Sequence, residues 1–263
     1  MKRALLVGIN EYPSQPLNGC INDVTDMANF ITQKLGIAMD DIRLLTDKRA
    51  TTQGIRERIS WLVDGAKPGD TLFFHYSGHG TQFPIRDANG DVTENHGAIC
   101  PVDFDWSREH ALLDTDLREL LDQAPAGVEF IYVSDSCNSG NLTRALMRER
   151  PRFYFPPADI AWRIRTAESK GLKPSLLVEH DRCALISGCT FEQTSADAYI
   201  NGRFNGALTY FLLDALKTPS GTQTPLTRLV KDVGSLLEQN NYEQDPQLRG
   251  PDEILARPFL VAA

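Results

Sequence analysis

Five short apolar runs, Ala4–Ile9, Ile42–Leu45, Thr71–Tyr76, Val128–Ser134 and Cys183–Ser187, are separated by stretches whose apolar residues recur at helical spacing. The runs are rich in β-branched and aromatic residues and short enough for strands buried on both faces. Between them, Val24, Met27, Ala28, Ile31 and Leu35 share a helical face, with Asn22 as cap and Gly36 as stop. Ile55, Ile59, Leu62 and Val63 mark a second helix, and Leu117, Leu120 and Leu121 a third that ends before Pro125. Leu208, Phe211, Leu212 and Ala215 give a fourth, and Thr224-Pro225 opens a fifth carrying Leu229, Val230, Val233 and Leu237. Such alternation predicts an α/β fold, a mainly parallel central sheet with helices on both faces, and places a site at the carboxyl ends of the strands.

A chain of 263 residues is long enough for one such domain, and 1–263 is expected to form it. Its 35 acidic against 27 basic residues, a formal charge of −8, argue against nucleic acid or an anionic membrane as partner. The apolar run after Met1-Lys2-Arg3 is too short for a signal peptide, and no run reaches membrane-spanning length. Cysteines at 20, 100, 137, 183 and 189 form neither a disulfide framework nor a CxxC pair. The expectation is a monomer of the reducing cytoplasm whose thiols either fill the core or react. One stretch departs in composition: Asn141–Arg182 holds nine Arg or Lys against five acids, with four prolines and little strand signal. It reads as a long basic insertion (141–182) between the fourth and fifth strands, and loops of that length are commonly functional.

Two Gly-flanked polar motifs stand at predicted strand ends: Tyr76-Ser77-Gly78-His79-Gly80 after the third run and Ser134-Asp135-Ser136-Cys137-Asn138-Ser139-Gly140 after the fourth. A right-handed crossover lays successive parallel strands near one another, which brings His79 and Cys137 to the same sheet edge. A thiol beside an imidazole is the minimum for nucleophilic acyl transfer: the thiolate attacks a carbonyl and the histidine protonates the leaving amine. The glycines beside His79 allow close approach of a substrate backbone and leave the Gly80 amide free to face the developing oxyanion. Taken singly, each residue would pass for a buried core filler; it is their shared edge and polar, glycine-rich flanks that favour chemistry. His75, inside its run, reads as a packed core histidine, and His96, His110 and His180 as residues of polar loops without a role.

The charge near this pair sets a specificity expectation. Asp135 precedes Cys137 by two residues and Asp23 follows the first strand, in the loop leaving it, so both reach the same edge. Two carboxylates there form an anionic pocket suited to a guanidinium or ammonium group and hostile to a substrate carboxylate. Ser77 adds a neutral hydrogen bond. The plainer account makes Asp23 a first-turn helix acid and Asp135 a partner for loop amides.

YSGHG and DSCNSG, with His79 and Cys137 separated by 58 residues, together with LNGCIND near the start and ICPVDF between them, resemble the caspase-like cysteine peptidases, most closely the metacaspases and their bacterial relatives. The resemblance covers Leu5 to about Cys137 closely and continues more loosely through SGCT and DPQLRG. It implies a caspase-like (caspase-hemoglobinase) fold, with 1–140 as a large-subunit-like part and 183–263 as a small-subunit-like part. It implies His79 and Cys137 as the catalytic dyad, the Gly80 and Cys137 amides as the oxyanion hole, and cleavage after Arg or Lys of a peptide or protein, since metacaspases carry acids at the matching positions. Where that family usually has His after the nucleophile, this chain has Asn138; where many members carry an acidic pair, it has His96-Gly97. No cofactor is therefore expected to be required, and calcium is expected to act modestly if at all. Asp114 and Asp116, with Glu94, are the oxygen ligands such an ion would use; the alternative for that pair is helix N-terminal acids. The rival to a peptidase is a catalytically silent caspase-like interaction module, against which the intact His79 and Cys137 count.

Overall fold

Each apolar run of the sequence becomes a strand of one sheet. The computed structural model describes residues 1–137, 150–172, 180–188 and 195–260. Within them, β1 (Lys2–Gly8), β2 (Ile42–Thr46), β3 (Thr71–Ser77), the hairpin β4 (Gly80–Arg86) and β5 (Val92–Ile99), β6 (Leu112–Leu113), β7 (Glu129–Asp135), β8 (Arg150–Pro151), β9 (Ala184–Ser187), β10 (Ala196–Ile200), β11 (Arg203–Gly206) and β12 (Gln247–Arg249) are the strands. The helices are α1 (Cys20–Leu35), α2 (Thr52–Val63), α3 (Asp114–Leu121), α4 (Ala158–Ser169), α5 (Ala207–Leu216), α6 (Leu226–Gln239) and α7 (Asp252–Leu255).

The central sheet runs β12-β9-β7-β3-β1-β2, parallel throughout except for β12 at its edge. Its strands alternate between two apolar layers. Leu5, Val7, Leu72, Phe74, Phe130 and Tyr132 pack with Ile55, Ile59 and Leu62 of α2 and Leu117 of α3. Ala4, Leu6, Phe73, Ile131 and Val133 point the other way, onto Val24, Met27 and Ile31 of α1 and Leu208, Phe211 and Leu212 of α5. Fully buried strands of this kind need apolar residues at every position rather than at alternate ones, which is why they read as continuous runs. Among the described residues no helix is long and apolar enough to cross a membrane.

Three expectations are corrected. Helix α1 starts at Cys20 with Gly19 at the cap position, so Asn22 lies inside it, donating from Nδ2 to the Phe204 carbonyl, and Asp23 belongs to its first turn rather than to a loop. The described part of the insertion 141–182 holds more regular structure than its weak strand signal led one to expect: Arg150–Pro151 pairs with β10, and α4 buries Ile160, Ile164 and Ala167. Their spacing is helical, but charged neighbours dilute it. His96 stands in β5 rather than in a loop. Two small antiparallel sheets, β4-β5-β6 and β11-β10-β8, extend beyond the predicted alternation.

Candidate active site

β3 and β7 are adjacent and parallel, with Ser77 opposite Asp135 in register. The chain leaves both strands at the same edge, so His79 and Cys137, each two residues further on, emerge side by side. His79 is held from behind. Its amide donates to Tyr12 Oη at 3.0 Å, its carbonyl accepts from Tyr76 Oη at 2.7 Å and from the Cys100 amide at 2.9 Å. The Tyr12 ring lies 4.6 Å from the imidazole and Tyr154 meets it edge-on at 5.4 Å.

The imidazole Nε2 is 2.7 Å from the carbonyl oxygen of Gln15. A carbonyl can only accept, so the hydrogen is on Nε2 and the lone pair is on Nδ1, which is buried and has no hydrogen-bond partner among the described residues. Burial pushes the His79 pKa down to about 4, so the ring is neutral at ordinary pH. Cys137 is buried, with Sγ 3.3 Å from the Ser195 carbonyl oxygen and against the Phe153 side chain.

Beside this pair lies a cluster of buried charge. Asp23, Asp135 and Asp197 surround the guanidinium of Arg152, and all four side chains are fully buried. Arg152 Nη2 donates to Asp23 Oδ2 at 2.8 Å and to Asp197 Oδ1 at 3.2 Å; Nη1 donates to Ser77 Oγ at 2.8 Å and lies 3.3 Å from Asp135 Oδ1. The acids are fixed in turn. Asp135 Oδ2 accepts from the Thr209 amide and hydroxyl and Oδ1 from Ser195 Oγ. Asp23 accepts from Ser77 Oγ, Asn205 Nδ2 and the Gly206 amide. Asp197 accepts from the Asn18 and Gly19 amides at the start of α1, where the helix dipole favours an anion. Three carboxylates around one cation leave excess negative charge in a dry site. Burial accordingly pushes the Asp23 carboxyl up to about 6, against the pull of Arg152.

Gly206 forms one wall of this pocket. A Cβ there would fall 2.2 Å from Asp135 Oδ2 and 2.3 Å from Arg152 Nη1, so no larger residue fits while the guanidinium is present.

The backbone of Arg152 is held as closely as its side chain. Its carbonyl oxygen accepts from the Gly80 amide at 3.0 Å and the Cys137 amide at 3.2 Å, the two donors expected to form an oxyanion hole. Thus Asp23, Asp135, Ser77, Gly80, His79 and Cys137 converge as the sequence led one to expect, while Asp197, Arg152, Ser195, Gly206 and Gln15 were not anticipated. A signal for Asp197 was present: Asn201-Gly202, both at positive φ, turns β10 into β11, and Asn-Gly between alternating residues marks a hairpin.

Asp114 and Asp116 sit on α3, away from these contacts. Asp116 pairs with Arg56 and Arg108 and accepts the Leu113 amide; Asp114 accepts the Thr115 amide, faces His96 Nδ1 at 3.8 Å, and is pushed up to about 6 by burial. Glu94 is engaged by His96 Nε2 at 2.7 Å. Among the described residues no group of three or more His, Cys, Asp or Glu is arranged to hold a metal ion, and Asp116 is already engaged by two arginines. His75 is packed in the core, bonded to Thr209 Oγ1. Cys20, Cys100 and Cys183 are buried thiols of the core; Cys189 and Asn138 lie outside the described residues.

Known proteins resemble this chain over most of its length. The family described as the metacaspase, peptidase C14 domain matches residues 2–145. Metacaspase-1 of Meyerozyma guilliermondii is 30% identical across 94% of this chain and 68% of its own length. Metacaspase-1 of Schizosaccharomyces pombe is 31% identical across 94% and 66%; the chain therefore spans about two thirds of these relatives. The crystal structure of protein GSU0716 from Geobacter sulfurreducens superposes with a TM-score of 0.73 at 27% identity, covering 100% of this chain and 99% of that one. On these grounds the chain belongs to the metacaspases, cysteine-type peptidases of family C14.

Proposed function

We propose that this metacaspase is an endopeptidase that cuts after Arg or Lys through a Cys137–His79 dyad and an acyl-enzyme. The observation that carries the reading is Arg152, whose guanidinium sits among Asp23, Asp135 and Asp197 while its carbonyl oxygen rests on the Gly80 and Cys137 amides. A substrate arginine bound in the same way would place its scissile carbonyl carbon next to the Cys137 sulfur. His79, neutral and with its Nδ1 lone pair free of other partners among the described residues, takes the thiol proton and returns it to the leaving amine. The two amides are already aimed where negative charge develops on the carbonyl oxygen, so little reorganisation is needed in the transition state. Water then hydrolyses the thioester.

Planar, bidentate donors suit Arg best, and the compact ammonium of Lys pairs with the same acids as a point charge. A carboxylate in this pocket would meet three like charges. No organic cofactor enters these steps, and the substrate is a peptide or protein with a basic residue at the cut. The test is hydrolysis of matched fluorogenic peptides ending in Arg, Lys or Asp: Arg and Lys peptides are expected to be cut and Asp peptides not. Efficient release after Asp overturns the assignment of the pocket.

A further inference from the structure

His75 takes no part in the steps proposed above, yet two hydrogen bonds connect it to the acidic pocket. It stands in β3 between Leu6 of β1 and Val133 of β7, its neighbours in register, within the apolar layer that faces α1 and α5. Phe73 stacks on it with ring centroids 6.2 Å apart, and the residue is fully buried. An apolar side chain in that layer would leave nothing unpaired. The imidazole does: its Nδ1 is buried and has no hydrogen-bond partner among the described residues, which costs stability. What the imidazole offers in return is its other nitrogen.

Nε2 lies 3.1 Å from Thr209 Oγ1, and Thr209 Oγ1 lies 2.7 Å from Asp135 Oδ2. The direction of both bonds follows from the proton count. Asp135, a carboxylate 3.3 Å from the Arg152 guanidinium, can only accept, so the single hydroxyl proton of Thr209 points to it. The hydroxyl oxygen then has only lone pairs to offer His75, and Nε2 carries the ring hydrogen. Burial pushes the His75 pKa down to about 4, so the ring is neutral and has this one N–H to give. The result is a one-way relay, Nε2–H to Oγ1–H to Oδ2, in which each donation strengthens the next.

Thr209 is the third residue of α5, where the amide has no partner within the helix, and Asp135 Oδ2 accepts that amide too, at 2.8 Å. A helical threonine hydroxyl otherwise turns to a carbonyl three or four residues back, here that of Gly206 or Asn205. Donation from His75 favours the orientation that keeps the proton on Asp135. Oδ2 is then held twice from α5, which leaves Oδ1 to accept from Ser195 Oγ and to face the guanidinium.

We propose that His75 is a positioning residue for the basic side chain of the substrate: through the Thr209 hydroxyl it holds the Asp135 carboxylate turned so that Oδ1 meets the incoming cation. The proposal rests on the reading that Asp135 receives the basic residue at the cut. It gives His75 a part in recognition and none in acyl transfer, which belongs to His79.

The test compares purified full-length wild type, His75→Leu, Thr209→Val, the double variant and His75→Gln by thermal melt and by steady-state hydrolysis of an Arg peptide. His75→Leu removes the unpaired Nδ1, so it is expected to melt at or above wild type. It should nevertheless raise KM about fivefold to tenfold, with kcat within about twofold of wild type. Thr209→Val should raise KM at least as far, and the double variant no further than Thr209→Val alone, because His75 acts only through that hydroxyl. His75→Gln, whose Nε2 can donate to the same oxygen, should keep KM within about twofold of wild type. A wild-type KM in His75→Leu, losses that multiply in the double variant, or a fall in kcat that tracks a fall in melting temperature makes His75 a packing residue and overturns the inference. Hydrolysis of the Arg peptide by wild type leaves the peptidase reading standing in each of those cases. Should His75→Leu not fold, His75→Gln decides: a KM raised as far as in Thr209→Val overturns the inference. Absence of Arg-peptide hydrolysis in wild type overturns both.

Discussion

Ser77 and Asp135 are in-register partners across β3 and β7, and His79 and Cys137 stand two residues beyond them on the same edge. The relation ties the proposed chemistry to the proposed specificity, because the two strand ends that supply the dyad also supply the floor of the acidic pocket. A change on either strand is expected to show whether it touches rate or recognition.

Cys137→Ala is expected to lower Arg-peptide hydrolysis by more than about 10³-fold, with thermal unfolding within a few degrees of wild type. His79→Ala should lose nearly as much, and the double variant no more than the worse single one, since the two act as a unit. Steady-state kinetics beside a thermal melt checks this; an active Cys137→Ala enzyme would remove the proposed nucleophile.

Asp135→Asn and Asp23→Asn should each weaken recognition of Arg. Leaving a buried cation short of a partner costs about 2–5 kcal/mol, or roughly 30-fold to several thousand-fold in kcat/KM. The loss should be small for a peptide with a neutral residue at the same position. Equal losses on both peptides would point to a general disturbance of the site rather than to the pocket.

The acid limb of kcat/KM should follow Asp23. Its carboxyl stands at about 6 with the Arg152 guanidinium beside it and higher in a pocket free of that cation, so as pH falls into that range it takes up a proton and ceases to pair with a cation, and Arg-peptide kcat/KM should drop. His79, held at about 4, stays neutral across the same window. Asp23→Asn should lower the plateau and flatten this limb. A limb near pH 6 that survives unchanged in Asp23→Asn would assign it to another group.

Gly206→Ala places a methyl group where Asp135 and the guanidinium approach each other. Overpacking of this kind costs about 1–3 kcal/mol. The expected result is about a fivefold to 150-fold rise in KM for Arg peptides, measured by initial rates, with hydrolysis of a peptide carrying a small neutral residue less affected.

Phe73, fully buried in the α1–α5 layer and edge-on to Phe259 at 5.5 Å, tests the core independently of the site. Phe73→Ala is expected to cost about 3–5 kcal/mol in chemical denaturation. A change below about 1 kcal/mol would be inconsistent with the packing at this position.

The sequence by itself determined the five parallel strands of the central sheet, most of the helices and the edge on which chemistry gathers. Those features are local: continuous apolar runs at β1, β3 and β7, 3.6-residue periods in α1, α2 and α6, and polar motifs that follow immediately on two strands. Asp135 was legible for the same reason, as the last residue of β7, and Asp23 as an acid of the first helix to follow β1. Tertiary structure alone decided which basic residue of 141–182 meets them. Arg152 lies 129 residues from Asp23 and 45 from Asp197, and nothing in its neighbours distinguishes it from Arg150. It is singled out by the pairing of its segment with β10 and by the Gly80 and Cys137 amides, whose positions depend on the register of β3 against β7. Gly206 likewise reads as an ordinary turn glycine until α5 and β11 carry it against Asp135. Periodicity records which face a residue must bury; it holds no record of contacts made across more than a hundred residues of intervening chain, where three carboxylates become one pocket only after the sheet has brought them together.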